Sequence, residues 1–510
     1  MDGTREFLLR KILGWATKEL GQKGESNTYW IHGLPGIGKT SLAHSICATL
    51  HERNHLAGAF FCRRDDGNLS EPRNILPTLI HKLAGIFPPF RSVVAERLRN
   101  DLNLTPGAMQ YTFLLELLRK LPRVPKRTLI LVVDALDECG NTKSRPSILK
   151  ALTDAATHAP WLKIIVTSRP EVDIEHFFNG LTHSSALRYD LTADKETASD
   201  LRAFAQARFN TVASERCIIQ SPWPERLLLD EVISRAAGLF IYVETIALAL
   251  EHCDDPTKYL KATMRDSVGA GLTSLYELYS GILNTRRVHA SGELRRVIGV
   301  LLTAAPYRPL CDETVAELAG VRPDLVRMWT VDLSSLLYRD EGANRGIRVR
   351  HLSITDFFLS EACHRDYRVD LQRANMELGI ACLDKMVEQL HFNICKLENS
   401  RHANADVDDL PSRIKDNISD ALQYSSLYWS NHLCFGSDNG DRRILEGLRK
   451  FFEGPYVLFW IEVLSIMGMV PIGVPSLRRV ISTIVRVSTA TSMTRLHSMA
   501  NLIGVGFDTL

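Results

Sequence analysis

The sequence has no C-x-x-C pair and no ligand spacing for zinc: its ten cysteines (Cys47, Cys62, Cys139, Cys217, Cys253, Cys311, Cys363, Cys382, Cys395, Cys434) are scattered. That excludes a zinc-stapled or disulfide-stapled scaffold and reads as reduced, mostly packed thiols of an intracellular protein. Charge of one sign is also missing, since 61 Lys and Arg face 59 Asp and Glu for a net +2. No lean toward nucleic acid, membrane or acidic partners follows. The start, Met1-Asp2-Gly3-Thr4-Arg5-Glu6, lacks the apolar core of a signal peptide. The one strongly apolar run, Tyr456 to Val470, is bounded by Pro455 and Pro471 and carries Glu462 near its centre. It is too short and too costly for a membrane span and is expected as a buried helix in a cytoplasmic protein. No clear repeat period is present. What remains is ordinary globular composition, 45% apolar and 24% charged, in 510 residues with room for about three domains.

Against that background one run stands out. Thr28-Tyr29-Trp30-Ile31-His32 reads as a short apolar strand, Gly33-Leu34-Pro35-Gly36-Ile37-Gly38 as a glycine-rich turn, and Lys39-Thr40-Ser41-Leu42-Ala43 as the first turn of a helix reaching about Leu50. Gly33, Gly38, Lys39 and Thr40 fit the phosphate-binding pattern G-x-x-x-x-G-K-[ST]. The glycines let the backbone wrap a polyphosphate with its N–H groups turned inward, and the helix adds its positive end at the same point. Lys39 is then placed for the β and γ phosphates and the Thr40 hydroxyl for Mg²⁺.

A phosphate loop calls for a second, acidic strand. Thr128-Leu129-Ile130-Leu131-Val132-Val133-Asp134 is an uninterrupted β-rich run ending in a carboxylate, as in a strand buried on both faces of a parallel sheet. Asp134 is the Mg²⁺ partner. Asp137 and Glu138 follow at the strand's carboxyl end, where ligands bind in open α/β sheets. Glu138 is the candidate for polarising an attacking water and Asp137 for placing metal or water. A further run, Trp161 to Val166, reads as a strand ending in Thr167-Ser168-Arg169-Pro170. If it lies beside the acidic strand, Arg169 emerges where it senses or stabilises phosphate charge.

The rest of the chain sets the organisation. Leu56 to Cys62 and Ala186 to Leu191 read as further strands, the latter amphipathic, with helical patterns over 5–20, 72–121 and 145–158. Strands alternating with helices over 28–192 predict a doubly wound α/β sheet. Segments near 195–211, 224–236, 239–252 and 257–266 predict a small helical lid. Three helical patterns within 290–362, then Leu336 to Arg339, a polar turn at 340–344 and Ile347 to His351, look like a winged helix. Residues 366–510 read as stacked helices. The expected division is 1–192, 193–288, 289–365 and 366–510.

Gly33 to Thr40, the Asp134 to Cys139 block, Thr167 to Pro170, Gly238-Leu239-Phe240-Ile241-Tyr242 and His351 to Phe358 together resemble a NACHT-domain protein. The class is the STAND P-loop NTPases, with most likeness to fungal heterokaryon-incompatibility proteins and animal NOD-like receptors. The resemblance covers about 1–470 and implies a switch: ADP holds a closed form, exchange for ATP (GTP in some members) opens it, and the open form oligomerises and activates an effector. It places Lys39 and Thr40 at the phosphate and Mg²⁺ positions, Asp134 at the metal, Asp137 and Glu138 as the acidic pair, and Arg169 as the sensor. His351, which the bare sequence reads as a satisfied structural residue ending a strand, matches the histidine that touches the β-phosphate of ADP. No effector module and no sensor repeats are evident, which suits a truncated paralogue, a partial gene model, or a regulator acting through partners.

Three functions follow as expectations: a signalling switch with slow hydrolysis, a winged-helix nucleic-acid-binding regulator, or a scaffold with a structural nucleotide. The second would use Arg345, Arg348 and Arg350 on the wing, and the small net charge disfavours it. The presence of Lys39, Thr40, Asp134 and Glu138 together argues against the third.

Overall fold

The computed structural model describes residues 4–18, 26–100, 112–181, 186–218, 222–266, 268–285, 292–340, 345–398, 403–433 and 442–491. The expected helix end at 19–20, the break at Gly21 to Gly24, Tyr111, turn positions 341–344, Cys434 and positions 492–510 lie outside these. The chain divides into two compact units: Met1–Ile282 with His351–Ser353, and Leu283–Arg350 with Ile354–Leu510.

The first unit opens with α1 (Glu6–Thr17), β1 (Thr28–His32), α2 (Lys39–Glu52) and β2 (Leu56–Phe61). It continues through α3 (Ile75–Ile86), α4 (Pro88–Asn100), α5 (Phe113–Arg119), β3 (Leu129–Asp134), α6 (Ser144–His158), β4 (Leu162–Ser168), α7 (Val172–Asn179) and β5 (Leu187–Asp190). Then come α8 (Thr197–Glu215), α9 (Arg226–Ala236), α10 (Phe240–His252), α11 (Pro256–Asp266) and α12 (Leu272–Thr285), along which the chain leaves the unit.

Among the described residues the unit has one parallel sheet of order β2-β3-β4-β1-β5. Every residue of β3 and β4 is buried, because helices cover both faces, and that is why these strands carry unbroken apolar runs. The pleat divides the side chains between two cores. Tyr29, Ile31, Ile130 and Val132 pack with α1 and α2, while Trp30, Leu131 and Val133 pack with α3 to α7. β5 is the half-buried edge, as its amphipathic sequence predicts. The carbonyls ending α1 are satisfied from the sheet: Lys163 Nζ donates to Trp15 O at 2.6 Å and Thr128 Oγ1 to Ala16 O at 2.9 Å. β1 leads off toward β2 while β4 returns past β1 to β5. Neighbouring strand ends therefore part in opposite directions, which opens a crevice at their carboxyl ends.

The second unit contains α13 (Gly292–Ala304), α14 (Asp312–Ala319), α15 (Pro323–Asp332), an antiparallel pair β6 (Leu337–Arg339) and β7 (Ile347–Val349), and α16 (Leu352–Leu359) after its first two residues. α17 (Leu371–Gln389), α18 (Leu410–Asn417), α19 (Asp420–Leu433), α20 (Arg442–Glu453), α21 (Tyr456–Ile466) and α22 (Gly473–Thr491) follow. α17 and α19 approach closely: a methyl group on Gly379 would lie 2.9 Å from Leu433 Cδ2. Two of the hairpin's arginines are engaged inside the unit, while Arg345 is exposed. Arg348 pairs with Asp340 at 2.9 Å, and Arg350 donates to Ser334 O at 2.6 Å while lying over the Tyr338 ring.

The buried helix expected at 456–470 is present as α21, which buries one face. Trp460, Val463, Leu464 and Ile466 are buried, but Leu458 is 68% exposed and Ile461 37%. The high apolar content masks a one-sided helix. No helix among the described residues is long and apolar enough to cross a membrane.

Candidate nucleotide site

The turn after β1 is shaped by two left-handed glycines, Gly36 (φ +80°) and Gly38 (φ +93°). Gly36 also lies against the start of α10. A methyl group there would meet Ile241 Cγ2 at 2.1 Å, and Ile241 N donates to Gly36 O at 3.2 Å. The neighbouring Leu34 N is 3.3 Å from Thr192 Oγ1, and no side-chain bond distinguishes Pro35. Ser41 lines a small cavity of about 20 Å³ with Thr4, Arg5, Ile37 and Phe240.

Lys39, only 9% exposed, folds its Nζ over the loop and donates to Gly33 O at 2.8 Å and Leu34 O at 3.0 Å. Burial lowers its pKa to about 8, opposed by the nearby carboxylates of Asp137, Asp134 and Glu138. Asp134, at the end of β3, is fully buried and accepts from Thr167 Oγ1, which in turn accepts from Ala135 N at 2.9 Å. Burial raises the Asp134 pKa, and hydrogen bonds from Thr167 and Thr40 oppose the rise. The Thr40 hydroxyl thus meets the Asp134 carboxylate. Two hard oxygen donors side by side are the kind and number of protein ligands Mg²⁺ uses beside phosphate oxygens and water, so these residues fit that ion.

Beyond Asp134 the chain reverses at Ala135, left-handed at φ +53°, into a short turn over Leu136–Glu138. Asp137 accepts from Arg169 N at 2.9 Å and faces Arg169 Nε at 3.3 Å. Because β3 and β4 are neighbours, Thr167 and Arg169 emerge beside the acidic strand. The Arg169 guanidinium is nonetheless held against Asp137, so any phosphate sensing must work from that ion pair. Glu138 accepts from Arg64 N at 3.3 Å, and burial first, then the Asp137 charge, lift its pKa to about 7. A carboxylate so tuned suits proton transfer near neutrality.

His351 groups with this unit although it lies far along the chain. Its Cε1 is 3.8 Å from where a Gly36 methyl group would sit. Ser353 N donates to its Nδ1 at 3.1 Å, and the Ser353 hydroxyl, 2.7 Å from Nδ1, meets Tyr279 OH at 2.8 Å. Nδ1 is therefore the acceptor, which assigns the ring proton to Nε2. Burial, with the Arg169 and Lys39 charges, lowers its pKa to about 4 and keeps it neutral. The structure thus gathers Lys39, Thr40, Asp134, Asp137, Glu138, Arg169 and His351 at one crevice.

Sequence reasoning misses two anchors. Arg5 is buried and donates to Asp194 at 2.9 Å, Thr197 Oγ1 at 2.8 Å and Ile37 O at 3.3 Å, which ties α1 and the loop to α8. Arg145 is equally buried behind the acidic turn. Neither has a motif around it. Only the distant carboxylates that pair with them explain their burial.

A family model described as Nephrocystin 3, N-terminal, matches residues 3–169. The vegetative incompatibility protein HET-E-1 of Podospora anserina is 25% identical over 486 residues, covering 88% of this chain; the chain spans about a third (34%) of that relative's length. Solved structures that align include the Walker-type ATPase PABY2304 of Pyrococcus abyssi, at 15% identity over 69% of this chain and 95% of that one, TM-score 0.31. Another is Cdc6p of Pyrobaculum aerophilum, at 12% identity over 69% and 93%, TM-score 0.32. With the sheet order and loop geometry described above, the two sequence matches support a nucleotide-binding P-loop NTPase similar to the NACHT/STAND-like proteins.

Proposed function

We propose that the chain is a nucleotide-operated signalling switch that binds ATP and ADP, or GTP and GDP, with Mg²⁺ and hydrolyses the triphosphate slowly. The observation that carries this reading is His351. A neutral imidazole with its N–H on Nε2 stands beside the phosphate loop, on a tripeptide flanked in sequence on both sides by the second unit. A donor so placed couples the occupant of the loop to the rest of the chain, because phosphate bound there favours the arrangement that keeps the contact.

In this reading Lys39 leaves the loop carbonyls for the β and γ phosphates, and Thr40 and Asp134 would hold Mg²⁺, whose charge would offset that of the phosphate oxygens. Glu138 takes a proton from the attacking water at a carboxylate oxygen, while Asp137 fixes Arg169 near the terminal phosphate. His351 donates from Nε2 to the β-phosphate of the diphosphate form. Residues 193–288 serve as lid, 289–365 as a winged-helix module in which Arg348 is paired with Asp340 and Arg350 with Ser334 O, and 366–510 as a helical region. Self-association on activation and a protein effector or sensor partner complete the proposal, in the cytoplasm.

The test is nucleotide retention. Purified protein is expected to hold nucleotide and to gain mass in solution, by light scattering, when a non-hydrolysable triphosphate replaces the diphosphate. Lys39→Ala is expected to weaken binding about 100-fold, on the order of 2.7 kcal/mol. Unchanged nucleotide content in that variant removes the basis of the reading.

A further inference from the structure

We infer that Arg145 is a positioning residue for hydrolysis: its guanidinium, braced by Asp173, clamps the peptide unit from which Glu138 projects. The inference rests on the hydrolysis reading above and deepens it. Arg145, in the first turn of α6, is 8% exposed, and its Nη1 donates to the carbonyl oxygen of Asp137 at 3.2 Å. That carbonyl and the N–H of Glu138 belong to one planar peptide unit. The N–H end is held as well, since Glu138 N donates to Ala135 O at 2.8 Å. Fixing both ends of the plane fixes the direction in which the Glu138 side chain leaves the backbone. A turn entered through a left-handed alanine needs such support, because that conformation is strained for any residue but glycine.

Asp173 supplies the brace. Its carboxylate lies 3.0 Å from Arg145 Nε, and both side chains are 10% exposed. Asp173 stands in the first turn of α7, just past Arg169, which itself grips the Asp137 carboxylate. The turn bearing the acidic pair is therefore held from two directions, by Arg169 through the Asp137 side chain and by Arg145 through the Asp137 backbone. Arg145, Asp137 and Glu138 border one cavity of about 420 Å³ with Arg64 and Glu171. Arg145 acts there by geometry, because its charge is matched by Asp173. Loosening the peptide plane displaces Glu138 without touching the groups that hold phosphate. A displacement of an ångström at a reacting group is enough to slow turnover while binding persists.

The experiment measures single-turnover hydrolysis and nucleotide affinity separately in full-length wild type, Arg145→Gln, Arg145→Lys and Asp173→Asn. Arg145→Gln is expected to slow the hydrolytic step about tenfold with affinity within about twofold. Arg145→Lys, which keeps a charged donor, is expected to recover part of the rate. Asp173→Asn is expected to show a smaller loss of the same kind. If Arg145→Gln does not fold, the lysine and asparagine variants decide. Wild-type turnover matched by every variant overturns the inference alone, and so does a loss of affinity equal to the loss of rate, the mark of a merely structural arginine. A wild type that binds nucleotide without turning it over overturns the hydrolysis reading, and the inference with it.

Discussion

Two histidines that burial keeps neutral, one in each unit, show how differently the same side chain is used. His432, at the end of α19, has both ring nitrogens occupied: Tyr424 OH meets Nε2 at 2.7 Å and Asn375 Oδ1 faces Nδ1 at 3.0 Å. The Asn375 amide is oriented by donating to Leu371 O at 2.9 Å, so its oxygen accepts from Nδ1–H and Tyr424 donates to Nε2. His351 has a fixed Nδ1, while its Nε2–H meets no partner among the described residues and stands beside the phosphate loop. A buried polar group with every bond made is a packing element. A half-buried one such as His351, with an N–H still open beside the loop, is a candidate for a ligand.

The largest effect that tests this contrast is on stability. His432→Ala leaves Tyr424 and Asn375 without their shared partner and opens a cavity between α17 and α19. We expect the second unit to lose roughly 3–5 kcal/mol, read as earlier denaturant unfolding of helical signal, with nucleotide retention in the first unit unchanged. A loss below about 1 kcal/mol would mean that the network is not holding those helices together.

pH sharpens the comparison next. Burial depresses the His432 pKa to about 3. The unfolded chain, near 6.5, binds the extra proton first, so this group's contribution is complete above about pH 6.5 and fades as pH falls toward 3. Between pH 7.5 and 5 the fading amounts to about 2 kcal/mol. His432→Gln, which cannot titrate, is expected to flatten that part of the acid limb relative to wild type. Parallel curves for the two proteins would show that His432 titrates normally.

How much of this was legible in the sequence depends on how local the cause is. β3 announces itself because both faces are covered, so six consecutive positions are buried, and the phosphate loop does so because its conformation demands Gly36 and Gly38. Asp134 and Glu138 follow from their place at the end of that strand. Neither 172–179 nor 272–285 is expected as a helix from the patterns above. α7 buries only Ile174 and Phe178, too few to set a period, whereas α12 does carry Leu275, Leu278, Tyr279 and Ile282 at helical spacing. The Arg145–Asp173 brace joins two helices 28 positions apart (173 − 145) and leaves no mark in either. His432 illustrates the same limit, since Asn375 lies 57 residues away. Pairings decided by tertiary approach are invisible to periodicity and to motif alike.

The smallest expected effect falls on the half-bonded histidine, and it decides whether the contrast concerns function. If Nε2–H of His351 donates to a phosphate oxygen, His351→Ala should weaken diphosphate binding about tenfold, near 1.4 kcal/mol, with little change in the unfolding of either unit. His351→Gln, which offers an N–H at the end of a chain of similar length, should recover part of that affinity. Burial and the charges of Arg169 and Lys39 hold the wild-type pKa near 4, so the ring stays neutral at pH 5.5 as at pH 8. The difference in ADP affinity between wild type and His351→Gln should therefore show no inflection near pH 6.5, by calorimetric titration across that range. An inflection there would mean a solvated imidazole that gains charge in the ordinary way. Equal affinities of wild type and alanine variant would return His351 to the same class as His432, a histidine that only holds its neighbours in place.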